Sequence, residues 1–163
     1  MSDSQTISEP FILFELAGTI YAMPTKVVQQ MEMVERITPV PNAAPFVEGV
    51  VFSRGKVIPA INLRSRFGFE KIPYDARTRL IVIHTSNRTV GLIADTAREF
   101  VSIPKSAIQP PPEGISGLSG KYLSSIANLG DASSGQSQRM VLILNPDEVL
   151  NMTSTISPVA VGN

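Results

Sequence analysis

This chain predicts an all-β fold, assembled from short strands as a sandwich or as barrels. Short apolar runs recur along it. Turn-forming pairs such as Ala17-Gly18, Arg54-Gly55 and Asn87-Arg88 separate them, and helical signals are brief. The count comes to roughly nine or ten strands, with no alternation of strands and long helices of the kind a βαβ enzyme fold needs. One closed barrel could use all of them, and so could two small barrels.

The elements follow in order. Phe11 to Leu16 and Thr19 to Met23 flank Ala17-Gly18 as a hairpin. Pro24-Thr25 opens a short helical stretch in which Val27, Val28 and Met31 share a face. Val50 to Phe52 and Val57 to Ile61 pair across Ser53-Arg54-Gly55-Lys56, where Gly55 supplies the positive φ of the turn. Asn62 caps a brief helix. Leu63 and Phe67 line one face of it, and Gly68 stops it. Leu80 to Thr85 and Thr89 to Asp95 make a further hairpin, and Glu99 to Ile103 a further strand. Gln109-Pro110-Pro111-Pro112 is stiff and extended. Tyr122 to Ala127 and Met140 to Leu144 are strands joined by a flexible Gly130 to Gln138. Asn145-Pro146-Asp147-Glu148 starts a last helix, which runs to about Asn151. A loose tail follows Met152.

The totals exclude several classes. At 163 residues the chain can bury a core without staples. Its 14 Lys and Arg balance its 14 Asp and Glu, so nothing recommends nucleic acid or an acidic membrane as partner. The absence of cysteine removes disulfides and thiolate chemistry and fits a reducing cytosol. The polar N-terminus carries no secretory signal pattern, and no apolar run approaches the ~20 residues of a membrane helix. The expectation is a soluble cytoplasmic protein.

Catalytic patterns fail on spacing. In Gly114-Ile115-Ser116-Gly117-Leu118-Ser119-Gly120-Lys121, Ile115 stands where a phosphate loop needs glycine, and Tyr122 replaces its Ser or Thr. Leu118 stands where a nucleophile elbow needs its second glycine. Ser102-Ile103-Pro104-Lys105 matches a Ser-x-x-Lys pattern without its companion motifs. His84 is the sole histidine and reads as a strand residue rather than a metal ligand. Asp95 reads as a strand-end carboxylate taking backbone or arginine hydrogen bonds. Arg64, Arg66, Arg77 and Arg79 read as a solvated face, and Met23, Met31 and Met33 as core before recognition surface. No catalytic, cofactor or metal site is expected.

Arg54 is different in context. It sits at a hairpin tip between apolar strands, so its guanidinium meets solvent or a partner.

Several stretches together resemble one family. Phe11 to Met23 carries an FxLxxxxYAxP pattern. Ile37 to Gly55 reads ITPVPNAAPFVEGVVFSRG, and Val57 to Gly68 reads VIPAINLRSRFG. Val90 to Asp95 reads VGLIAD, and Tyr122 to Ala127 and Met140 to Leu150 close the set. Their order and spacing, over about residues 9–151, resemble the CheW family of chemotaxis coupling proteins. The resemblance implies two SH3-like five-stranded β-barrel lobes and no catalysis. It implies two partners: the regulatory domain of a CheA-type histidine kinase, met by an apolar surface of the first lobe, and the cytoplasmic tip of a methyl-accepting chemoreceptor, held between the lobes. The lobes are expected to be built from non-contiguous segments, lobe one mainly from 19–70 and lobe two mainly from 76–147 plus the N-terminal strand; 1–8 and 153–163 are expected to be flexible tails.

The chain departs from the family at named positions. The family's Asn-Leu-Arg-Gly turn is Phe52-Ser53-Arg54-Gly55, its Val-Gln-Glu-Ile is Val28-Gln29-Gln30-Met31, and Asn62 and Asn145 stand for aspartates. Charge and shape at a docking surface set specificity, so these changes leave room for a pilus or surface-sensing array in place of a flagellar one. Arg54, Phe52, Val28, Met31, Gly55 and Asn62 are the expected partner-binding residues. The alternative is a β-barrel that binds a small apolar ligand.

Overall fold

The computed structural model describes residues 7–112, 121–130 and 139–151, which contain eleven strands. Strands β1 (Ser8–Leu16) and β2 (Thr19–Pro24) form a hairpin. A 3-10 turn, Thr25–Val27, leads into β3 (Val28–Met33). Strands β4 (Val47–Ser53) and β5 (Lys56–Asn62) form the second hairpin and run into helix α1 (Leu63–Arg66). The third hairpin is β6 (Arg79–Thr85) with β7 (Arg88–Ala94). It is followed by β8 (Thr96–Pro104), a 3-10 turn and the two-residue β9 (Ile108–Gln109). Strands β10 (Leu123–Leu129) and β11 (Arg139–Leu144) and helix α2 (Pro146–Val149) complete the described chain.

The strands build two sheets. One has six strands in the order β8-β1-β2-β11-β10-β9, the other five in the order β3-β6-β7-β5-β4. This corrects the expected division of the chain. Strand β2 lies in the six-stranded sheet, and β6 and β7 join the five-stranded one, so neither 19–70 nor 76–147 is a unit. The physical reason is that a two-residue turn commits both of its strands to one sheet. The expected boundary at residue 19 cut the first hairpin in half. The chain changes sheets at the 3-10 turn Thr25–Val27 and again at Asp95, between β7 and β8. Strand β1 also begins earlier than expected, with Ser8 opposite Pro104.

The expected helix around Val28 is a second correction. Only Thr25–Val27 is helical, and Val28–Met33 is a strand paired with β6. Val28 lies opposite Ile83 and Met31 opposite Ile81, with the register shifting between Val28 and Gln30. That bulge adds one residue, so positions three apart share a face, which a regular strand does only for positions two apart. The apparent helical spacing came from a bulged strand.

Strand alternation builds three apolar clusters. Phe11 and Leu13 of β1 turn into the six-stranded sheet with Ala22, Ile103, Val141 and Ile143. Leu80, Val82 and Ile93 turn into the five-stranded sheet with Val51, Ile58 and Ala60. The intervening residues, among them Ile12, Phe14, Leu16, Ile81, Ile83 and Leu92, form the third cluster between the sheets. Strands buried on both faces have no polar side, which is why β1, β6 and β7 read as unbroken apolar runs. Aromatic rings carry this middle layer from the six-stranded sheet across α1. Phe14 stacks on Tyr21 at 6.0 Å, Tyr21 meets Phe67 at 5.8 Å, and Phe67 stacks on Tyr122 at 5.1 Å. Among the described residues the sheets' inner faces are filled by their own side chains, where a ligand-binding barrel would need open space.

Charged groups tie the sheets together at the edge of that layer. Arg66 is 2% exposed. It donates to the carbonyls of Val149 (3.0 Å) and Asn151 (2.8 Å), and its guanidinium lies over the Phe46 ring at 4.3 Å. The expected solvated arginine face holds for exposed Arg77 but not for Arg64 and Arg66. Arg66 is buried against the C-terminal helix, and Arg64 is committed to Asp95 through paired bonds of 2.8 and 2.7 Å. Asp95 behaves as expected of a strand-end carboxylate, and it also accepts from the Ala17 backbone N–H at 2.9 Å. Burial raises the Asp95 pKa, but the Arg64 fork and the Ala17 N–H outweigh it, leaving the carboxyl below its ordinary value. Asp147, on α2, accepts from Thr85 (2.7 Å) and Ser86 (2.6 Å) at the tip of the third hairpin. These hydroxyls lower its pKa.

The residues expected as the Gly114–Lys121 loop (save Lys121), the Gly130–Gln138 connection (save Gly130), the tail after Met152 and the first six residues lie outside the described residues.

Candidate functional site

The surface that stands apart is the β4–β5 hairpin. Its register places Phe52 opposite Val57, Val51 opposite Ile58 and Ser53 opposite Lys56. Arg54 (φ 51°) and Gly55 (φ 79°) form the two-residue loop. Two successive positive φ values are the pattern of a type I′ turn, whose twist matches the strands it joins. A Cβ on Gly55 would meet nothing within 4 Å, so glycine there answers the backbone angle and not crowding. Gly49, further back on β4, answers crowding: a Cβ there would lie 2.1 Å from the Thr38 carbonyl oxygen. Its absence lets Thr38 and Val50 exchange backbone hydrogen bonds of 2.9 and 2.8 Å.

Alternation sends Val51 and Ile58 inward and their neighbours outward. Phe52 is 72% exposed and Val57 65%. Met33, at the end of β3, is 52% exposed. These three line an open groove of about 330 Å³ with Glu32, Thr38 and Val50. Arg54 is exposed at the tip, and among the described residues its guanidinium makes no hydrogen bond or ion pair. Neither carboxylate that could have braced it does so. Asp95 is held by Arg64, and Glu48 accepts from Asn62 at 2.9 Å and pairs with Lys71 at 3.2 Å.

Strands β3 and β4 are the two edges of the five-stranded sheet. Polar side chains join them beside the tip. Gln30 Nε2 donates to Ser53 Oγ at 2.7 Å, and Ser53 Oγ donates to Glu32 Oε2 at 2.7 Å. Gln30 Nε2 also donates to Glu32 Oε2. The Gln30 Oε1 atom is buried without a partner.

The other expected residues sit differently. Val28 and Met31 are half-buried and pack against the cluster between the sheets. They border the crossing from β2 to β3. There a second open groove, of about 620 Å³, is lined by Lys26, Val27, Thr85, Ile108, Ser125 and Asp147. Asn62 is 3% exposed, which corrects its expected place on a contact surface. Its Oδ1 accepts from the Ser65 N–H at 3.2 Å as the cap of α1, and its amide donates to Glu48. Burial, reinforced by Glu48, pushes the neighbouring Tyr74 pKa up to about 12. Val57 and Met33 were not among the expected residues. The signal for Val57 was present: a two-residue loop at Arg54-Gly55 places it directly across from Phe52.

Nothing here resembles an active centre. Exposed His84 shares a hydrogen bond of 2.7 Å with Thr89 across its own hairpin. Among the described residues no group of three or more His, Asp or Glu could hold a metal ion, and no helix is long and apolar enough to cross a membrane.

Comparison with known proteins points the same way. The CheW-like domain model matches residues 10–154. The chemotaxis protein CheW of Bacillus subtilis is 30% identical over 93% of this chain and 92% of its own length. That of Klebsiella aerogenes is 28% identical over 90% and 84%. The crystal structure of the scaffolding protein TtCheW from Thermoanaerobacter tengcongensis covers 85% of this chain and 90% of its own, with a TM-score of 0.75 and 28% identity. Two sheets with brief helices, a surface of apolar anchors without catalytic groups and a family match across nearly the whole described chain place it in the CheW-like domain family, whose adaptors are non-catalytic.

Proposed function

We propose that this CheW-like chemotaxis scaffold works in the cytoplasm by docking a CheA-type histidine kinase regulatory domain on the β4–β5 face. The chemoreceptor tip takes the groove between the sheets. The observation that carries the kinase surface is the register-matched pair Phe52 and Val57, exposed side by side with Met33 near and an unpaired Arg54 at the tip. Solvent-facing aromatic and aliphatic groups beside a free guanidinium have the composition of a docking anchor. The groove at Lys26 and Val27, next in the chain to Val28, has the mixed polar and apolar lining that suits a helical hairpin.

The departures at Gln30, Phe52 and Ser53 lie close together, Gln30 and Ser53 joined beneath the face that Phe52 exposes, and that favours a kinase of a pilus or surface-sensing array over a flagellar one. Titration calorimetry with purified kinase regulatory domains of both classes, and with a receptor-tip fragment, tests the reading. Phe52→Ala is expected to cut kinase-domain affinity by about tenfold or more and leave receptor-tip affinity unchanged. Equal loss for both partners, or for neither, overturns the assignment of surfaces.

A further inference from the structure

The polar junction beside the hairpin tip is not needed to close a barrel. An apolar contact at that seam would leave no acceptor unsatisfied, whereas this one buries Gln30 Oε1 without a partner. A buried acceptor without a partner is destabilising, so its retention calls for a reason.

Ser53 occupies a particular place. It is the last residue of β4, buried, and directly between exposed Phe52 and exposed Arg54. Its hydroxyl both accepts from Gln30 and donates to Glu32, so one side chain links the tip to β3 through two bonds. The nearest backbone link lies further back, where Thr38, in the segment after β3, pairs with Val50. Beyond it the hairpin's pitch against β3 is held by the Gln30–Ser53–Glu32 junction. The same network occupies Gln30 and Glu32 with each other and with Ser53, and Arg54 takes no part in it.

We propose that Ser53, through Gln30 and Glu32, is a positioning residue for the docking face: it fixes the pose in which Phe52 and Arg54 are presented together. This rests on the kinase-docking reading above. A partner must then match both the apolar pair and a carboxylate at the set distance, which makes the junction a determinant of partner choice.

A double-mutant cycle tests it, with calorimetric affinity for the kinase regulatory domain and amide hydrogen exchange of the free chain as readouts. Ser53→Ala is expected to weaken binding about fivefold to tenfold in the unaltered background but less than about twofold when combined with Arg54→Ala. It should also speed exchange at the Arg54 and Gly55 amides without speeding it in β6 or β7. Ser53→Thr keeps the hydroxyl and should keep the affinity. Equal losses in both backgrounds, or unchanged exchange at the tip, overturn the proposal while leaving the docking reading intact. If the unaltered chain does not bind the kinase domain, the docking reading fails and the proposal falls with it.

Discussion

Three hairpins in this chain turn through two-residue loops at positive φ: Ala17-Gly18, Arg54-Gly55 and Ser86-Asn87. Two are tied to the opposite side of the molecule and one is not. The Ala17 N–H donates to Asp95, which Arg64 of helix α1, directly after β5 of the five-stranded sheet, holds in a bidentate grip. Ser86 and Thr85 donate to Asp147 on the helix that follows the six-stranded sheet. The Arg54-Gly55 tip reaches no carboxylate. The local chemistry is the same in all three, so the turn itself does not decide which hairpin is structural. The deciding feature is whether the strands behind the turn are buried on both faces. Strands β1, β6 and β7 are, and their tips meet the other sheet. Strand β4 is an edge with one face in water, and among the described residues the Arg54 side chain at its tip has no hydrogen-bond or ion-pair partner.

If the tied side is structural, cutting its most buried tie should cost the most. Arg66→Met keeps apolar volume but leaves the carbonyls of Val149 and Asn151 without their donor. A loss of about 3 kcal/mol or more in urea unfolding is expected. A loss below about 1 kcal/mol would mean that the C-terminal helix is held by apolar packing alone. Asp95→Asn should cost less, about 1–2 kcal/mol, since one oxygen remains for Ala17 while the ion pair is gone.

Asp95 also gives the comparison a pH axis. Its folded pKa lies below the ordinary value of about 3.9. The folded state therefore favours the ionised form. Its stabilisation is complete above the ordinary carboxylate range and is lost as pH falls through the folded pKa. Asp147 is lowered in the same sense by Ser86 and Thr85, which makes the sheet junction acid-sensitive at both clasps. Thermal unfolding should show a plateau above about pH 5 and a decline below about pH 4, and Asp95→Asn should flatten that decline. An acid limb of the same slope in the mutant would assign the sensitivity elsewhere.

What the sequence made legible follows the same division. Turn residues and apolar runs gave the hairpins and both helix caps, because Gly55, Asn62 and Asn145 act on their immediate neighbours. Sheet membership was not legible. Strand β2 belongs with β11 through a parallel pairing that links residues far apart in the chain, and no local signal encodes it. The bulge at β3 imitated a helix because one extra residue turns a period of two into a spacing of three. Arg66 and Asn62 were read as surface since their types are mostly exposed; burial came from partners supplied by distant segments. The exposed Phe52 was legible from alternation, and its neighbours Val57 and Met33 became so only once the register was known.

The third hairpin's clasp should be weaker than the first. Asp147 is exposed and its donors are neutral hydroxyls, so Asp147→Asn is expected to cost roughly 0.5 kcal/mol. Ser86→Ala should cost no more. A loss as large as that of Asp95→Asn would show that the two clasps are equivalent and that the bidentate arginine adds little.

The smallest stability effect belongs to the free hairpin, and there the comparison is most exposed to failure. Arg54 touches no carboxylate, carbonyl or ring among the described residues, so removing its side chain should change unfolding by less than about 0.5 kcal/mol. The same change should cost partner binding about tenfold or more. The type I′ turn already fixes the backbone that carries the guanidinium, so little entropy remains to be lost when it pairs with a carboxylate. Lysine at this position should restore the charge but only part of the affinity, because an ammonium lacks the planar fork that grips two oxygens. Thermal unfolding and calorimetry of Arg54→Ala and Arg54→Lys, run side by side, separate the possibilities. Lowered stability with unchanged affinity would place the second hairpin with the other two, as a structural turn. Unchanged stability with graded loss of affinity, alanine worse than lysine, is the outcome expected of a turn whose tip is held for another molecule.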